Sequence, residues 1–184
     1  SKESNQLSLN AYFSSLEKIV KEDVQKEILS VWFQQSKEKK DGAHKLMLNL
    51  KKENEGTAIE VFSTVIHGAS LLIAGLNKAL PIAVFAANIS GNPHYLDRGN
   101  TASSLLLYIL SYVKGVEYPK DAVRWYDILS EFNLNKDELA GSVAVYNVHV
   151  QTSAGLHPGA EGCYQCKQPF ILSSLHLTED CKLY

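Results

Sequence analysis

Between Ala79 and Val113 the sequence keeps only two full charges, Asp97 and Arg98, with His94 three residues before the acid. An apolar stretch that retains one acid and one base pairs them or uses them. In a functional reading His94 moves a proton and Arg98 holds a phosphate or carboxylate. In a structural reading the three residues staple a loop: Asp97 serves the free N–H groups of a helix beginning near Asn100, and Arg98 bridges loop carbonyls. The spacing matches no acid–base or metal pattern, and the staple is the preferred reading.

Cys163-Tyr164-Gln165-Cys166 is a C-x-x-C pair. With His157 and Cys181 it could offer zinc four Cys/His ligands. Strong zinc signals use two such pairs, so zinc is disfavoured. A redox role needs a strand–motif–helix setting, whereas this motif falls in a Gly/Pro-rich run. Incidental loop cysteines are the plainer reading. Lys37, Lys39 and Lys40 could touch phosphates, but Glu38 and Asp41 interrupt them, which favours a solvated helix end. His67 reads as a core or boundary histidine, and His149 and His176 as strand residues that could point outward. The sequence has no P-loop, GxGxxG, GxSxG or HExxH. The expectation is a chain that is not itself an enzyme and carries no cofactor of its own.

These residues sit in elements that the hydrophobic period outlines. Leu9, Tyr12, Phe13, Leu16, Ile19 and Val20 recur at helical spacing, and a second apolar set follows at Val24, Ile28, Val31 and Trp32. Lys37 to Gly42 closes that helix, and Ala43 to Leu50 forms a short one before a break at Glu53 to Gly56. Ile59, Phe62, Ile66, Ala69, Ile73, Leu76 and Leu80 predict the longest helix. Pro81 then starts a helix that Gly91 ends. Asn100 or Thr101 caps the next, which Gly115 ends. Pro119 starts another, with Trp125 and Tyr126 joining Trp32 as core anchors. After residue 140 the period changes: Ser142 to Val150 and Phe170 to Leu177 read as strands, with a loop over Gln151 to Gln168. The fold class is α+β, predominantly helical, with a small C-terminal β element. Two strands make a marginal sheet alone, so the chain is expected to be a fragment of a longer protein.

Residues 1–60 hold ten of the eighteen Lys/Arg and ten of the twenty Asp/Glu. The division drawn from this is a charged helical region over 1–56 and a helical core with C-terminal strands over 57–184, most simply one domain. A net charge of −2 carries no polybasic signature, so DNA binding would need a local patch. Three cysteines in 184 residues do not make a secreted disulfide scaffold. The chain opens without a charged-then-apolar leader, and His67, Asn77, Lys78 and Pro81 interrupt its most apolar stretch. A cytoplasmic protein with no membrane contact is expected.

Leu80-Pro81-Ile82-Ala83-Val84-Phe85-Ala86-Ala87, then Ser90-Gly91-Asn92-Pro93-His94-Tyr95-Leu96-Asp97-Arg98-Gly99, then Leu105-Leu106-Leu107, resembles the N-terminal half of a bacterial conserved-hypothetical family. Trp125 and the run Asp137 to Val145 are similar to that family's later segments. The likeness covers about Leu80 to Val150. Ser90 and Asn92 depart from the family's Thr and Asp, and Ala140-Gly141 from its Ser-Ser. The resemblance implies a C-terminal Toprim-like domain, akin to the topoisomerase VI A subunit, in a Wadjet-type plasmid-defence nuclease that works with SMC-like partners. It implies that the Mg2+-binding, DNA-cutting acids belong to the Toprim-like part. The present chain would then be a non-catalytic accessory domain that positions DNA or contacts those partners. A winged-helix-like part and a homodimer are compatible with it. The alternative expectation is a self-contained small-molecule-binding or hydrolytic domain using His94, Asp97 and Arg98.

Overall fold

The computed structural model describes residues 2–136, 143–152, 154–172 and 182–183. Cys181, His176 and the 137–142 stretch of the resemblance lie outside them. The chain divides into two compact units, Ser1–Lys136 and Asp137–Tyr184. The sequence division at 56/57 has no counterpart in the packing, because one core runs from Tyr12 to Leu134. The described residues are predominantly helical with small strands toward the C-terminus.

The first unit contains α1 (Lys2–Glu22), α2 (Lys26–Lys39), α3 (Gly42–Glu53), α4 (Glu55–Ala74), α5 (Ile82–Ser90), α6 (Thr101–Lys114) and α7 (Ala122–Ser130). Helices α4 and α6 are its centre: α4 packs on α1, α3, α5 and α6, and α6 also packs on α2, α3 and α7. Leu105, Leu106, Leu107, Ile109 and Leu110 bury α6 on almost every side, as an all-round apolar helix must be. An aromatic chain ties α1, α2 and α4 together, from Phe13 to Phe33 (6.3 Å) to Phe62 (5.8 Å). Burial of each such ring stabilises the fold by roughly 1.5–3 kcal/mol.

Helix α4 alone, among the described residues, is long and apolar enough to cross a membrane. Its inner face carries Phe62, Val65, Ile66 and Ala69 into the core, while Glu60, Ser63, His67 and Leu71 form the exposed stripe. His67, read as a core or boundary residue, is therefore exposed. The helix also stops earlier than its apolar run: Gly75 takes φ 93°, and Leu76 and Leu80 lie beyond the end. Leu80–Pro81 (β1) instead pairs in parallel with Leu134–Asn135 (β2), a contact between distant segments that local periodicity does not encode.

Several helix ends follow the sequence. Asn54 closes α3 and caps α4, its side chain accepting from Thr57 N at 2.9 Å. Gly91 and Gly115 end α5 and α6. Other ends shift. Helix α7 begins at Ala122 rather than Pro119, because Asp121 accepts from Arg124 N at 2.9 Å. Helix α2 buries Leu29, Trp32 and Phe33 and packs Ile28 against the core, while Val31 and, before the helix, Val24 are exposed, so only part of the predicted apolar set faces inward.

The second unit contains β3 (Val143–Val145), β4 (Val150–Thr152), β5 (Gly155–Leu156), α8 (Pro158–Gln165), β6 (Phe170–Leu172) and β7 (Lys182–Leu183). β3 pairs antiparallel with β6, and β4 pairs antiparallel with both β5 and β7. Two expectations change here. The strand read from Ser142 to Val150 is two short strands. The stretch read as a loop from Gln151 to Gln168 holds β5 and α8. Pro158 occupies the first turn of α8 and His157 caps it, accepting from Ala160 N at 3.3 Å.

Candidate functional site

A cleft of about 640 Å3 opens in the first unit. Helix α1 lines it with Gln6, Leu9, Asn10, Phe13 and Ser14, residues whose spacing places them on one helical face. Lys37 and Lys40 come from the end of α2, and His44, Lys45 and Leu48 from the start of α3. The sharp turn between α2 and α3 brings the two lysine-bearing ends together. Lys40 adopts a left-handed conformation (φ 50°), and Asp41 starts α3. The Asp41 carboxylate accepts from His44 N at 3.0 Å and from the buried Ser36 hydroxyl at 2.6 Å.

No carboxylate is among the residues lining this cleft. Lys40 and Lys45 make no ion pair among the described residues. Lys37 lies 3.8 Å from Glu17, which also pairs with Lys21 at 2.6 Å, and its ammonium stands 5.6 Å from the Phe33 ring centre. The hydrogen bond from Lys21 holds the Glu17 carboxyl below its usual range. His44 stacks on Phe13 (ring centres 5.0 Å apart, planes 8°), and its Nδ1 is sealed from solvent with no partner. Burial pushes the His44 imidazole below its ordinary value; Lys40 and Lys37 push the same way against Asp41. The cleft thus combines three ammonium groups, a neutral imidazole and an apolar floor.

The other sequence-predicted residues are placed differently. Lys39 lies outside the cleft and lines a smaller hollow with Trp32, Asp41 and Tyr108. His94 Nδ1 and Asp97 Oδ2 are 2.9 Å apart, with side chains 79% and 56% exposed. The Asp97 carboxylate therefore turns to His94 rather than to the start of α6, where Asn100 occupies the cap position. The turn is held by Asn92 Oδ1 accepting from His94 N, Asn100 Nδ2 donating to His94 O and Ser103 Oγ donating to Asp97 O. Arg98 makes no hydrogen bond or ion pair among the described residues. It lines a hollow of about 300 Å3 with Tyr118 and Trp125, whose walls hold neither His94 nor Asp97.

His157, Cys163 and Cys166 are not gathered as a ligand set: no three His, Cys, Asp or Glu side chains converge among the described residues. Cys163 and Cys166 are free thiols at the end of α8. Nearby, His149 Nδ1 meets Glu161 Oε2 at 2.8 Å, and this hydrogen bond holds the Glu161 carboxyl below its usual range.

Gln6, Asn10, Ser14, His44 and Lys45 escaped the sequence reading. Their signal was present: Gln6, Asn10 and Ser14 form an i, i+4, i+8 polar stripe beside apolar Leu9 and Phe13, and His44-Lys45 lies in the turn after the capping Asp41.

Fold and cleft together define a helical domain with a basic, apolar-floored cleft. The family model described as "Protein of unknown function N-terminus (DUF3323)" matches residues 2–150, and the chain belongs to that family. Neither the curated proteins nor the solved structures return a match.

Proposed function

We propose that this chain is a DNA-handling accessory domain, itself non-catalytic, of a Toprim-containing, Wadjet-like nuclease subunit acting on plasmids in the cytoplasm. Its task is to position DNA or to engage SMC-like partners. The observation that carries this reading is the cleft in which Lys37, Lys40 and Lys45 converge with no acid on the lining. Phosphate contacts from lysines supply affinity without sequence readout, which suits a domain that positions DNA for another to cut. Membership of an N-terminal family fits an accessory role, and the central sequence block resembles the nuclease family. Mg2+ and its acids belong, on that resemblance, to the Toprim-like part, and no step here runs through them.

The test is fluorescence anisotropy with a labelled DNA duplex. The triple variant K37Q/K40Q/K45Q should lose at least about tenfold in affinity with unchanged helical circular dichroism. Neutralising exposed Lys18, Lys26 and Lys78 in the same way should cost less than about threefold. Equal losses from both triples would remove the cleft from the function.

A further inference from the structure

Charge alone does not account for this cleft, because phosphates can be held on an open lysine face. Here Leu9 and Phe13 of α1 and Leu48 of α3 supply an apolar floor alongside the lysines of the α2 end and the α3 start. On the α1 wall Gln6 Nε2 donates to Asn10 Oδ1 at 3.1 Å. Both amides are exposed and keep further hydrogen-bonding capacity toward a ligand. The volume of about 640 Å3 falls in the range of small-ligand sites. A duplex presents phosphate ridges and groove edges but keeps its base faces stacked inside. Bound here, it would leave the apolar floor wet. An unpaired strand offers both a base face and the adjoining phosphates. Lysines spread over both the α2 end and the α3 start suit successive phosphates of a strand better than the single phosphate of a lone nucleotide.

We infer that the cleft takes an unpaired nucleotide of single-stranded DNA, its base on the Leu9–Phe13–Leu48 floor and the strand's phosphates on Lys37, Lys40 and Lys45. The inference rests on the DNA-handling reading above and narrows it.

The experiment compares four probes on the full chain at one salt concentration: a short oligothymidylate, an abasic strand of equal length, the oligothymidylate paired to its complement, and thymidine monophosphate as competitor. The oligothymidylate should bind at least about tenfold tighter than the abasic strand and the duplex, since only an unpaired base can cover the apolar lining and remove it from water. The monophosphate should not displace it at equal concentration. Leu9→Ser should bring the oligothymidylate and abasic affinities together while preserving the sensitivity to K37Q/K40Q/K45Q. The probe comparison needs no variant, so a Leu9 substitution that unfolds the chain leaves it intact. Equal binding of strand, abasic strand and duplex would overturn the inference and leave the backbone-contact reading standing. Duplex preference, or displacement by the monophosphate, would overturn it as well. Binding of none of the probes would overturn both.

Discussion

The carboxylate of Asp41 accepts from His44 N at the start of α3 and from the Ser36 hydroxyl, which is 1% exposed. Asp41→Ala removes a helix cap and strands a buried donor, so it should cost about 2–3 kcal/mol in urea unfolding. Asp41→Asn keeps an acceptor at the same place and should recover most of that loss. Asp97→Ala is the contrasting case: its partner His94 is exposed, and the loss should stay below about 1 kcal/mol. His44 adds a pH dependence. Its folded-state pKa is depressed, chiefly by burial, so the unfolded chain binds the proton more readily. The stability this contributes is fully present above the ordinary histidine value of about 6.5 and is lost as the pH falls through the folded value. His44→Phe keeps a ring against Phe13 and removes the titration. Urea midpoints of the wild type should therefore fall more steeply than those of His44→Phe on acidification; parallel profiles would contradict the assignment.

At the scale of elements, α3 and α6 meet where only glycine fits. A Cβ on Gly42 would collide with the Tyr108 ring, which stacks on Tyr118 with centres 4.1 Å apart. Gly42→Ala should therefore destabilise by about 1–3 kcal/mol, the range for overpacking, and thermal melts of the variant check it. A neutral or stabilising effect would show that the Tyr108–Tyr118 stack is free to move. Much of this level was legible in the sequence, since Asn54, Gly91 and Gly115 mark helix ends by local chemistry. The end of α4 was not, because the apolar rhythm runs on through Leu76 and Leu80, which serve the core from outside the helix. Helix α8 hid behind Gly and Pro, although Pro158 after a capping His157 is itself a start signal. The cleft was half legible. Lys37 and Lys40 read only as candidate phosphate contacts, with a solvated helix end preferred, while Gln6, Asn10 and His44 come together only once α1 lies beside the α2–α3 turn.

For the whole molecule, a net charge of −2 argues against a uniformly attractive surface and makes function depend on local charge placement. The first unit supplies that placement, with one continuous core and a cleft whose lining carries lysines and no carboxylate. The second unit is a separate small assembly of short strands around α8. On the proposed function, the cleft lysines themselves neutralise DNA phosphates. The most direct measurement is the slope of log affinity against log salt concentration, for the wild type and for K37Q/K40Q/K45Q on one single-stranded oligonucleotide. Each phosphate contact contributes about 0.7 to that slope. Loss of three contacts should flatten it by about 2, with the two lines converging at high salt; parallel lines of equal slope would contradict the account.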